Sequence, residues 1–184
     1  MRSNIFVISG PSGTGKDTVY KELKKACPSI AQTVSATTRK PREGEENGVD
    51  YYFIDRDDFL ERVKAGDFIE YVCYGGNYYG TLKNEVRRLS DENKTVVLVI
   101  EVNGAQNIKA AFPDAVSVFL LPPSEEELRR RICKRGQNTP EEIEARLAIA
   151  RNELACQDKY DYRVVNDELD KCVNYILENI ITKE

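Results

Sequence analysis

Apolar residues form short unbroken runs along most of the chain, and helix-like stretches separate these runs. The first run, Ile5 to Ser9, ends at a glycine and precedes an amphipathic stretch from Lys16 to Ala26. Further runs cover Thr95 to Val102, Ala115 to Leu121 and, more briefly, Tyr162 to Val165. Runs without polar alternation are typical of strands buried on both faces of a parallel sheet.

Helix signals follow these strands. We expect helices from about Gly104 to Ala111 and from Asp167 to Ile181. Ser124 with Glu127 three residues later predicts a capping box, and Thr139-Pro140-Glu141-Glu142 opens another helix in the same way. Strands that alternate with helices predict an α/β fold, with a parallel sheet core flanked by helices.

Residues 35–81 break this rhythm. Tyrosine and glycine are dense there, as in the strings DYYF and YGGNYYG, and the apolar alternation is short-range. Turn residues that recur between such short segments predict a small insertion of antiparallel strands.

Length and composition are those of an ordinary globular protein. The chain has 184 residues, enough for one compact domain or for one core with small inserted lobes. Its longest apolar run, Thr95 to Ile100, is far shorter than the roughly 20 residues of a membrane helix. The N-terminal apolar stretch enters a glycine loop directly, so we interpret it as a strand and not as a signal peptide. Five cysteines without C-x-x-C spacing predict reduced thiols in a cytoplasmic protein.

Charged residues narrow the possible ligands. The chain contains no histidine, which excludes His-based triads, His general bases and most zinc enzymes. Its formal net charge of −4 argues against a nucleic-acid partner. Basic residues are nevertheless clustered at 39–42 and again at 129–135. Local positive charge on an acidic chain suits a small polyanionic ligand.

A phosphate-binding motif joins the first predicted strand to the first predicted helix. The motif G-x-x-x-x-G-K is filled by Gly10, Pro11, Ser12, Gly13, Thr14, Gly15 and Lys16. Its glycines let backbone N–H groups turn inward around a phosphate, and the helix N-terminus adds the positive end of its dipole. Lys16 can then reach the β- and γ-phosphates of a nucleotide.

The position after this lysine departs from the usual pattern. Ser or Thr is usual there, and its hydroxyl helps to hold Mg²⁺, but this chain has Asp17 followed by Thr18. A carboxylate beside a triphosphate is repulsive unless a cation lies between them. Two interpretations follow: either Asp17 contacts the metal region directly, or Thr18 takes the hydroxyl role.

Beyond the loop, the sequence resembles the guanylate kinase family over nearly its whole length. The resemblance rests on SATTRKPR at 35–42, GE at 44–45, GVDYYF at 48–53, FIEY at 68–71 and GNYYGT at 76–81. It implies a P-loop kinase fold with a small mixed α/β insertion that binds GMP and with a helical lid. It also implies a core of residues 1–34, 84–125 and 160–184, a GMP-binding lobe of 35–83 and a lid of 126–159.

The resemblance further implies the residues of an acceptor site. Those expected at the GMP phosphate are Ser35, Arg39, Arg42, Tyr51 and Tyr79. Glu70 and Thr81 would recognise guanine, with Glu45 and Glu101 as further contacts. A carboxylate can accept from guanine N1–H and the 2-amino group together, whereas adenine would leave it unpaired.

Arginines of the implied lid match family elements that close over the phosphates. Arg131 and Arg135 are four residues apart and therefore share a helix face, and Arg146 follows on the next helix. With Lys16 and Arg39 they are the expected catalytic residues, because phosphoryl transfer depends on alignment and charge stabilisation.

Surface ion pairing is the alternative interpretation of two lid arginines. Glu127 with Arg131, and Glu142 with Arg146, have the spacing of ion pairs on one helix face. Asn166, in the string VVND, matches the family position near the adenine of ATP.

The end of the strand at 95–102 departs from the family pattern. Relatives commonly carry two acids two residues apart there, and this chain has Val99 for the first and Glu101 for the second. A strand-end carboxylate is a usual holder of hydrated Mg²⁺. We hypothesise that the acidic metal contact has moved to Asp17, and the rival hypothesis is that catalysis is weakened.

These features predict an enzyme that transfers the γ-phosphoryl group of MgATP to GMP (or dGMP) by in-line attack, giving ADP and GDP. The expected cofactor is Mg²⁺, with no nucleic-acid or membrane partner and with a monomeric or homodimeric state. Two other classes stay open, namely a non-catalytic binding module and a kinase of the same fold that acts on a phosphorylated sugar. The intact Lys16 argues against the first, and the pair Glu70 and Thr81 argues against the second.

Overall fold

The computed structural model of the protein describes residues 4–134 and 139–182. In chain order the elements are β1 (Ile5–Ser9), α1 (Lys16–Ala26), β2 (Ile30–Ala31), β3 (Ala36–Thr37), β4 (Tyr52–Phe53), α2 (Arg56–Ala65), β5 (Phe68–Tyr74), β6 (Asn77–Leu82), α3 (Lys83–Asp91), β7 (Thr95–Val99), α4 (Val102–Ala111), β8 (Val116–Leu121), α5 (Glu125–Lys134), α6 (Pro140–Leu154), β9 (Tyr162–Val165) and α7 (Leu169–Ile176). A 3₁₀ turn at Gln157–Lys159 precedes β9, and a π-helical stretch at Leu177–Ile181 continues α7.

Five parallel strands form the central sheet in the order β2–β7–β1–β8–β9. β1 lies in the middle, paired with β7 on one side and β8 on the other, and all of its residues are buried. Its side chains alternate between the faces of the sheet. Phe6 and Ile8 pack with α1 and α7, whereas Ile5 and Val7 pack with α3 and α4. The predicted parallel core flanked by helices is confirmed.

The parallel arrangement sets the position of the loops. Because neighbouring strands run in one direction, the segments that follow β1, β7, β8 and β9 leave the same edge of the sheet. The glycine loop, Glu101 and Asn166 all lie in these segments.

A second sheet lies within residues 36–82 and has the strand order β4–β3–β6–β5. β5 and β6 form an antiparallel hairpin closed by Gly75 and Gly76, whose φ values of 57° and 78° suit a two-residue hairpin turn. β3 pairs antiparallel with β6 but parallel with β4. The prediction of antiparallel strands is therefore wrong for the β3–β4 pairing. The connection 38–51 brings the chain back beside the start of β3, so β4 runs in the same direction as β3.

A small aromatic core joins this sheet to α2. Phe59 is fully buried, and its ring centroid lies 4.3 Å from that of Phe68 and 5.3 Å from that of Tyr78, with both pairs stacked. The second sheet therefore has an apolar core of its own, separate from the cores on either face of the central sheet.

Several predicted element boundaries are wrong by one to three residues. The strand expected to reach Val102 ends at Val99, because Glu101 is the extended N-cap residue of α4, which begins at Val102. The closing helix begins at Leu169, two residues after the expected Asp167.

One of the two predicted capping boxes is complete. The Thr139 hydroxyl accepts from the Glu142 N–H, and the Glu142 carboxylate accepts from the Thr139 N–H. Before α5, Ser124 Oγ accepts from the Glu127 N–H at 3.1 Å, but the Glu127 carboxylate binds arginines of its own helix. The second box is thus only half formed, because these arginines compete for the carboxylate.

Two composition-based expectations can be compared with the structure. None of the five cysteines, all of which the structure describes, has a disulfide partner, and reduced thiols stay a prediction. Within residues 4–134 and 139–182, no helix has both the length and the apolar character needed to cross a membrane.

Candidate active site

The loop between β1 and α1 adopts the backbone that its glycine pattern predicts. Gly10, Gly13 and Gly15 have φ values of 140°, 96° and 94°, a region that residues with side chains rarely adopt. A Cβ on Gly10 would lie 2.4 Å from the Leu120 carbonyl oxygen, and a Cβ on Gly15 would lie 2.6 Å from Asn166 Nδ2. Both glycines are therefore required by close packing as well as by the turn.

Lys16 folds back over this loop. Its side chain is buried, and its Nζ donates to the carbonyl oxygens of Gly10 and Pro11, the latter at 3.3 Å. The same Nζ lies 3.5 Å from Oε1 of Glu101, the residue before α4. Since α1 begins at Lys16, the free N–H groups of its first turn point toward the same space. A buried lysine and a helix N-terminus together form an anion-binding site.

Asn166 joins the end of β9 to the loop. Its side-chain amide donates to the Thr14 carbonyl oxygen at 2.8 Å, and Arg131 of α5 donates to the Asn166 carbonyl oxygen at 3.0 Å. These residues border a cavity of about 310 Å³. Its lining consists of Gly13, Gly15, Thr18, Arg131, Lys134, Asn166, Asp167 and Leu169.

Helices α5 and α6 pack on the phosphate loop as a pair. Leu128 and Ile132 of α5 would each lie 3.1 Å from a Cβ placed on Gly13. The same two side chains form a buried cluster with Leu147 and Ala150 of α6. The two helices therefore share an apolar core and cover one side of the loop.

Asp17 and Thr18 border different spaces. Asp17 lines a pocket of about 100 Å³ with Lys16, Val99 and Glu101, whereas Thr18 lines the larger cavity. In the part of the chain that the structure describes, no three Asp, Glu, Cys or His side chains form a group that could hold a metal ion by themselves. Mg²⁺ that binds with a nucleotide usually keeps several waters and takes one or two protein carboxylates. Of the two residues, Asp17 is the one that shares the pocket of Lys16.

A carboxylate that sequence analysis missed reaches the loop from α6. Glu153 lies close enough to Ser12 of the loop for the Ser12 backbone to lower the pKa of its carboxyl group. Burial, and then the charge of Glu101, raise the pKa of Glu153, while Lys16 and Ser12 act in the opposite direction. Nothing in the local sequence distinguishes Glu153 from a solvent-exposed helix carboxylate, so no local signal could have identified it.

A second pocket, also of about 310 Å³, opens on the other side of Glu101. It is lined by Ser35, Glu70, Tyr71, Val72, Tyr79, Gly80, Thr81 and Glu101. Glu70 and Thr81 are direct partners across the β5–β6 hairpin, so their side chains share one face of the sheet. The structure thus brings together five of the predicted acceptor-site residues, namely Ser35, Glu70, Tyr79, Thr81 and Glu101.

Glu70 has the most perturbed carboxyl group of this pocket. Burial, and then the charge of Glu101, raise the pKa of Glu70 to about 7. The carboxylate packs against the first turn of α4, where a Cβ on Gly104 would lie 2.3 Å from Glu70 Oε2. Glu70 therefore titrates near neutral pH, and any side chain at position 104 would displace it.

Arg39 is held in place by Glu45. Its two terminal nitrogens donate to the two oxygens of Glu45 at 2.9 and 2.8 Å, and the Arg42 N–H donates to the same carboxylate at 2.7 Å. These hydrogen bonds lower the pKa of Glu45 to about 2. Glu45, and to a smaller extent Tyr79, raise the pKa of Arg39, and its guanidinium lies 5.6 Å from the ring centroid of Tyr51. Glu45, expected near guanine, thus binds the arginine of the implied phosphate site in this structure.

Of the predicted arginines that the structure describes, only Arg131 lines one of these two pockets. Arg39 is held by Glu45, and the side chains of Arg42 and Arg146 are exposed. Arg135 lies outside the described residues. The expected ion pair of Glu127 with Arg131 is present at 2.7 Å. Glu142, the expected partner of Arg146, instead caps the start of α6.

This geometry defines the class of protein. A buried strand, a glycine loop with positive φ values, a lysine folded over that loop and a helix that begins at the lysine constitute a P-loop nucleotide-binding site.

Comparison with known sequences gives the family. A sequence model of the guanylate kinase family matches residues 2–184. The guanylate kinase of Gloeobacter violaceus is 46% identical over 182 residues, covering 99% of this chain and 88% of that protein. That of Clostridium perfringens SM101 is 46% identical over 175 residues (95% and 81% of the two chains), and that of Alkalilimnicola ehrlichii is 44% identical over 171 residues (93% and 84%). The chain belongs to the guanylate kinase family.

Solved structures agree with this assignment. The crystal structure of the guanylate kinase from Anaplasma phagocytophilum matches with a TM-score of 0.67 and 35% identity, covering 96% of this chain and 83% of that one. A shikimate kinase from Bacteroides thetaiotaomicron, at 18% identity and a TM-score of 0.53, shares the fold over 95% of this chain and 96% of its own. The predicted P-loop kinase fold and the predicted family are both confirmed.

The raised pKa of Glu70 makes stability depend on pH. Because the folded-state pKa of about 7 exceeds the ordinary value of 4.5, the folded protein binds more protons than the unfolded chain between these values. This group therefore stabilises the fold less as the pH rises from 4.5 through 7. We compare the unfolding free energy of Glu70→Gln with that of wild type at each pH. We predict that this difference shifts in favour of the variant by about 1–3 kcal/mol as the pH rises from 5 to 8.

Urea unfolding of both proteins at pH 5 and pH 8 measures this difference. Glu61→Gln, which changes an exposed carboxylate on α2, is the matched control and should show no such gain. A Glu70→Gln difference that is the same at the two pH values would contradict the assignment.

Proposed function

We propose that the protein transfers the γ-phosphoryl group of MgATP to GMP and releases ADP and GDP. The observation that carries the proposal is the shared wall of two pockets. Glu101 lines the pocket of Lys16 and also the pocket of Glu70 and Thr81. A phosphate on the loop and a nucleotide in the second pocket would therefore meet beside the Lys16 ammonium. Membership of the guanylate kinase family supports the same reaction.

ATP is the proposed ligand of the phosphate loop. Backbone N–H groups of the loop and the Lys16 ammonium bind its β- and γ-phosphates, and Asn166 lies near its adenine. The proposed contacts are Gly10, Pro11, Ser12, Gly13, Thr14, Gly15, Lys16, Asp17, Thr18 and Asn166. Arg131 supports this assignment, because it borders the same cavity and its guanidinium already contacts the Asn166 carbonyl.

GMP is the proposed ligand of the second pocket. Ionised Glu70 accepts from guanine N1–H and the 2-amino group, and the Thr81 hydroxyl donates to O6. Adenine would leave this carboxylate unpaired, which can reject the wrong base by roughly 10⁴-fold. Ser35 and Tyr79, which line the pocket, and Arg39, which lies against the ring of Tyr51, take the GMP phosphate together with Tyr51 and Arg42.

Arg39 is prepared for this role before the ligand arrives. Its fork is already oriented by two hydrogen bonds to Glu45 and by the ring of Tyr51. Since the side chain is ordered in advance, binding the phosphate costs less rotamer entropy.

Asp17, which stands where the motif usually has Ser or Thr, is the proposed contact of Mg²⁺. The metal would neutralise charge on the β- and γ-phosphates during transfer. Asp17 fits such a group because it shares a pocket with Lys16 and Glu101, and because a carboxylate next to a triphosphate requires a cation between them. Val99, where the family pattern has an acid, contributes only an apolar side chain to that pocket.

We assign three functional parts to the chain. Residues 1–34, 84–125 and 160–184 form the core, 35–83 the GMP-binding lobe and 126–159 the lid. The separate apolar cores of the second sheet and of the α5–α6 pair support this division. Closure of both parts over the substrates would exclude water and limit hydrolysis of ATP.

The transfer requires no covalent enzyme intermediate. An oxygen of the GMP phosphate attacks the γ-phosphorus of ATP in line with the bond to ADP, and that bond breaks as the new one forms. Lys16, Arg39 and Arg131, with Arg135 and Arg146 of the lid, stabilise the charge of the transferred group.

The reaction is tested by coupled ADP release with MgATP and with GMP, AMP, CMP or UMP at matched concentration. We predict that turnover with GMP exceeds that with each other nucleotide by at least about 10³-fold. If calorimetry shows that GMP binds but no ADP is released, the non-catalytic module is favoured. Turnover with a phosphorylated sugar and not with GMP would favour the other kinase class.

The metal contact is tested by Asp17→Ala, because a serine at this position would bring its own hydroxyl to the metal. We predict that its dissociation constant for ATP in the presence of Mg²⁺ rises about tenfold, since one charged metal contact is lost. In EDTA, the same variant should bind ATP no worse than wild type, because the repulsive carboxylate is gone. Calorimetry in both buffers measures the two constants independently of turnover.

Two further variants sharpen this test. Asp17→Glu keeps a carboxylate and should retain most of the Mg²⁺ effect, whereas Glu22→Gln, on the same helix, should behave as wild type. An Asp17→Ala protein with wild-type ATP affinity in both buffers would contradict the metal contact.

A further inference from the structure

A buried carboxylate lies where the second sheet joins the rest of the molecule. Glu85, in the first turn of α3, is only 4% exposed. Its Oε1 accepts from Arg88 Nη2 at 3.0 Å and from the Val34 N–H at 3.3 Å. Its Oε2 accepts from Arg88 Nε at 3.1 Å and from the Tyr52 hydroxyl at 3.0 Å. Each oxygen therefore has two donors, and the donors come from three separate segments.

These contacts keep the buried group charged. Burial alone would raise the pKa of Glu85, but hydrogen bonds from Arg88, Tyr52 and Val34 bring it below the ordinary value. Burial, and then Glu85, raise the pKa of Tyr52, which therefore stays a hydroxyl donor. Breaking one of these bonds would leave part of a buried charge unpaired, which is costly.

The partners of Glu85 are chain neighbours of residues in the proposed GMP-phosphate site. Val34 precedes Ser35, and Tyr52 follows Tyr51. The Tyr52 N–H also donates to the Ser35 carbonyl oxygen at 2.9 Å, which ties the two segments to each other. Glu85 holds this pair of segments from the side of α3.

The ladder that joins these two segments to each other is short, although β3 also pairs with β6. β3 and β4 pair through only two residues each, Ala36 with Tyr52 and Thr37 with Phe53. A ladder this short secures register weakly, so a side-chain contact to both segments has a large share in placing them.

We propose that Glu85 is a positioning residue for the GMP phosphate, holding Ser35 and Tyr51 in register through the Val34 N–H and the Tyr52 hydroxyl. This inference rests on the proposed function, because it assigns Ser35 and Tyr51 to the acceptor phosphate. Arg88 balances the buried charge of Glu85, and its Nη1 donates to the Glu92 carboxylate at 2.7 Å.

The mildest test is Tyr52→Phe, which removes one hydroxyl and keeps the ring. We expect its dissociation constant for GMP to rise about 3- to 10-fold, the usual effect of losing one hydrogen bond to a charged group. Guanosine, which lacks the phosphate, and MgATP should bind within about twofold of wild type. Glu85→Gln should show the same selectivity with a larger loss for GMP, because an amide cannot accept from all four donors.

Glu92→Gln is the matched control. It removes a carboxylate that binds the same arginine but contacts neither Val34 nor Tyr52, so GMP affinity should be unchanged. If thermal denaturation shows that Glu85→Gln is not folded, the test is made with Tyr52→Phe alone.

Comparison of GMP with guanosine separates positioning from general damage. If Tyr52→Phe loses affinity for GMP and for guanosine equally, or if its GMP affinity is unchanged, the inference is overturned. Turnover of GMP by the wild-type protein would still support the proposed function in that case. Wild-type protein that binds GMP but does not phosphorylate it would overturn the function alone. Wild-type protein that does not bind GMP would overturn both.

Discussion

The contact between Lys16 and Glu101 connects the two halves of the proposed active site. Lys16 is anchored to carbonyl oxygens of the loop after β1, and Glu101 is the N-cap residue of the helix after β7. β1 and β7 are parallel neighbours, so both residues leave the same edge of the sheet. Glu101 is 64% exposed, and an ion pair of this kind adds little to stability. Its importance is geometric, since it places the wall of the acceptor pocket beside the phosphate loop.

Negative charge dominates this junction. Glu101 contributes to the raised pKa of both Glu70 and Glu153, so the carboxylates on either side of Lys16 already repel one another. Two nucleotides would add several more negative charges. Arg39 is held by Glu45, and Arg131 is held by Glu127. In the proposed function, these arginines and a divalent cation next to Asp17 would balance that charge. This explains why the arginines are ordered before substrate arrives.

Much of the fold and the phosphate loop could be predicted because both depend on local patterns. The apolar run of β1 and the spacing of Gly10, Gly15 and Lys16 determine strand, turn and helix within a few residues. Strands of two residues carry no periodic signal, so the parallel pairing of β3 with β4 could not be predicted. The contacts of Glu85 and Glu153 join segments that lie far apart along the chain, as in the bond from Val34 to Glu85, and no sequence pattern reports them.

The claim that donor and acceptor sites form one centre at the Lys16–Glu101 contact is tested most directly by calorimetric titration with adenosine and guanosine linked through five phosphates. We predict one molecule bound per chain, with an affinity at least about 100-fold above that of ATP or GMP alone, because the second nucleoside binds intramolecularly. Binding of two molecules per chain, or an affinity no greater than that of ATP, would contradict a shared centre.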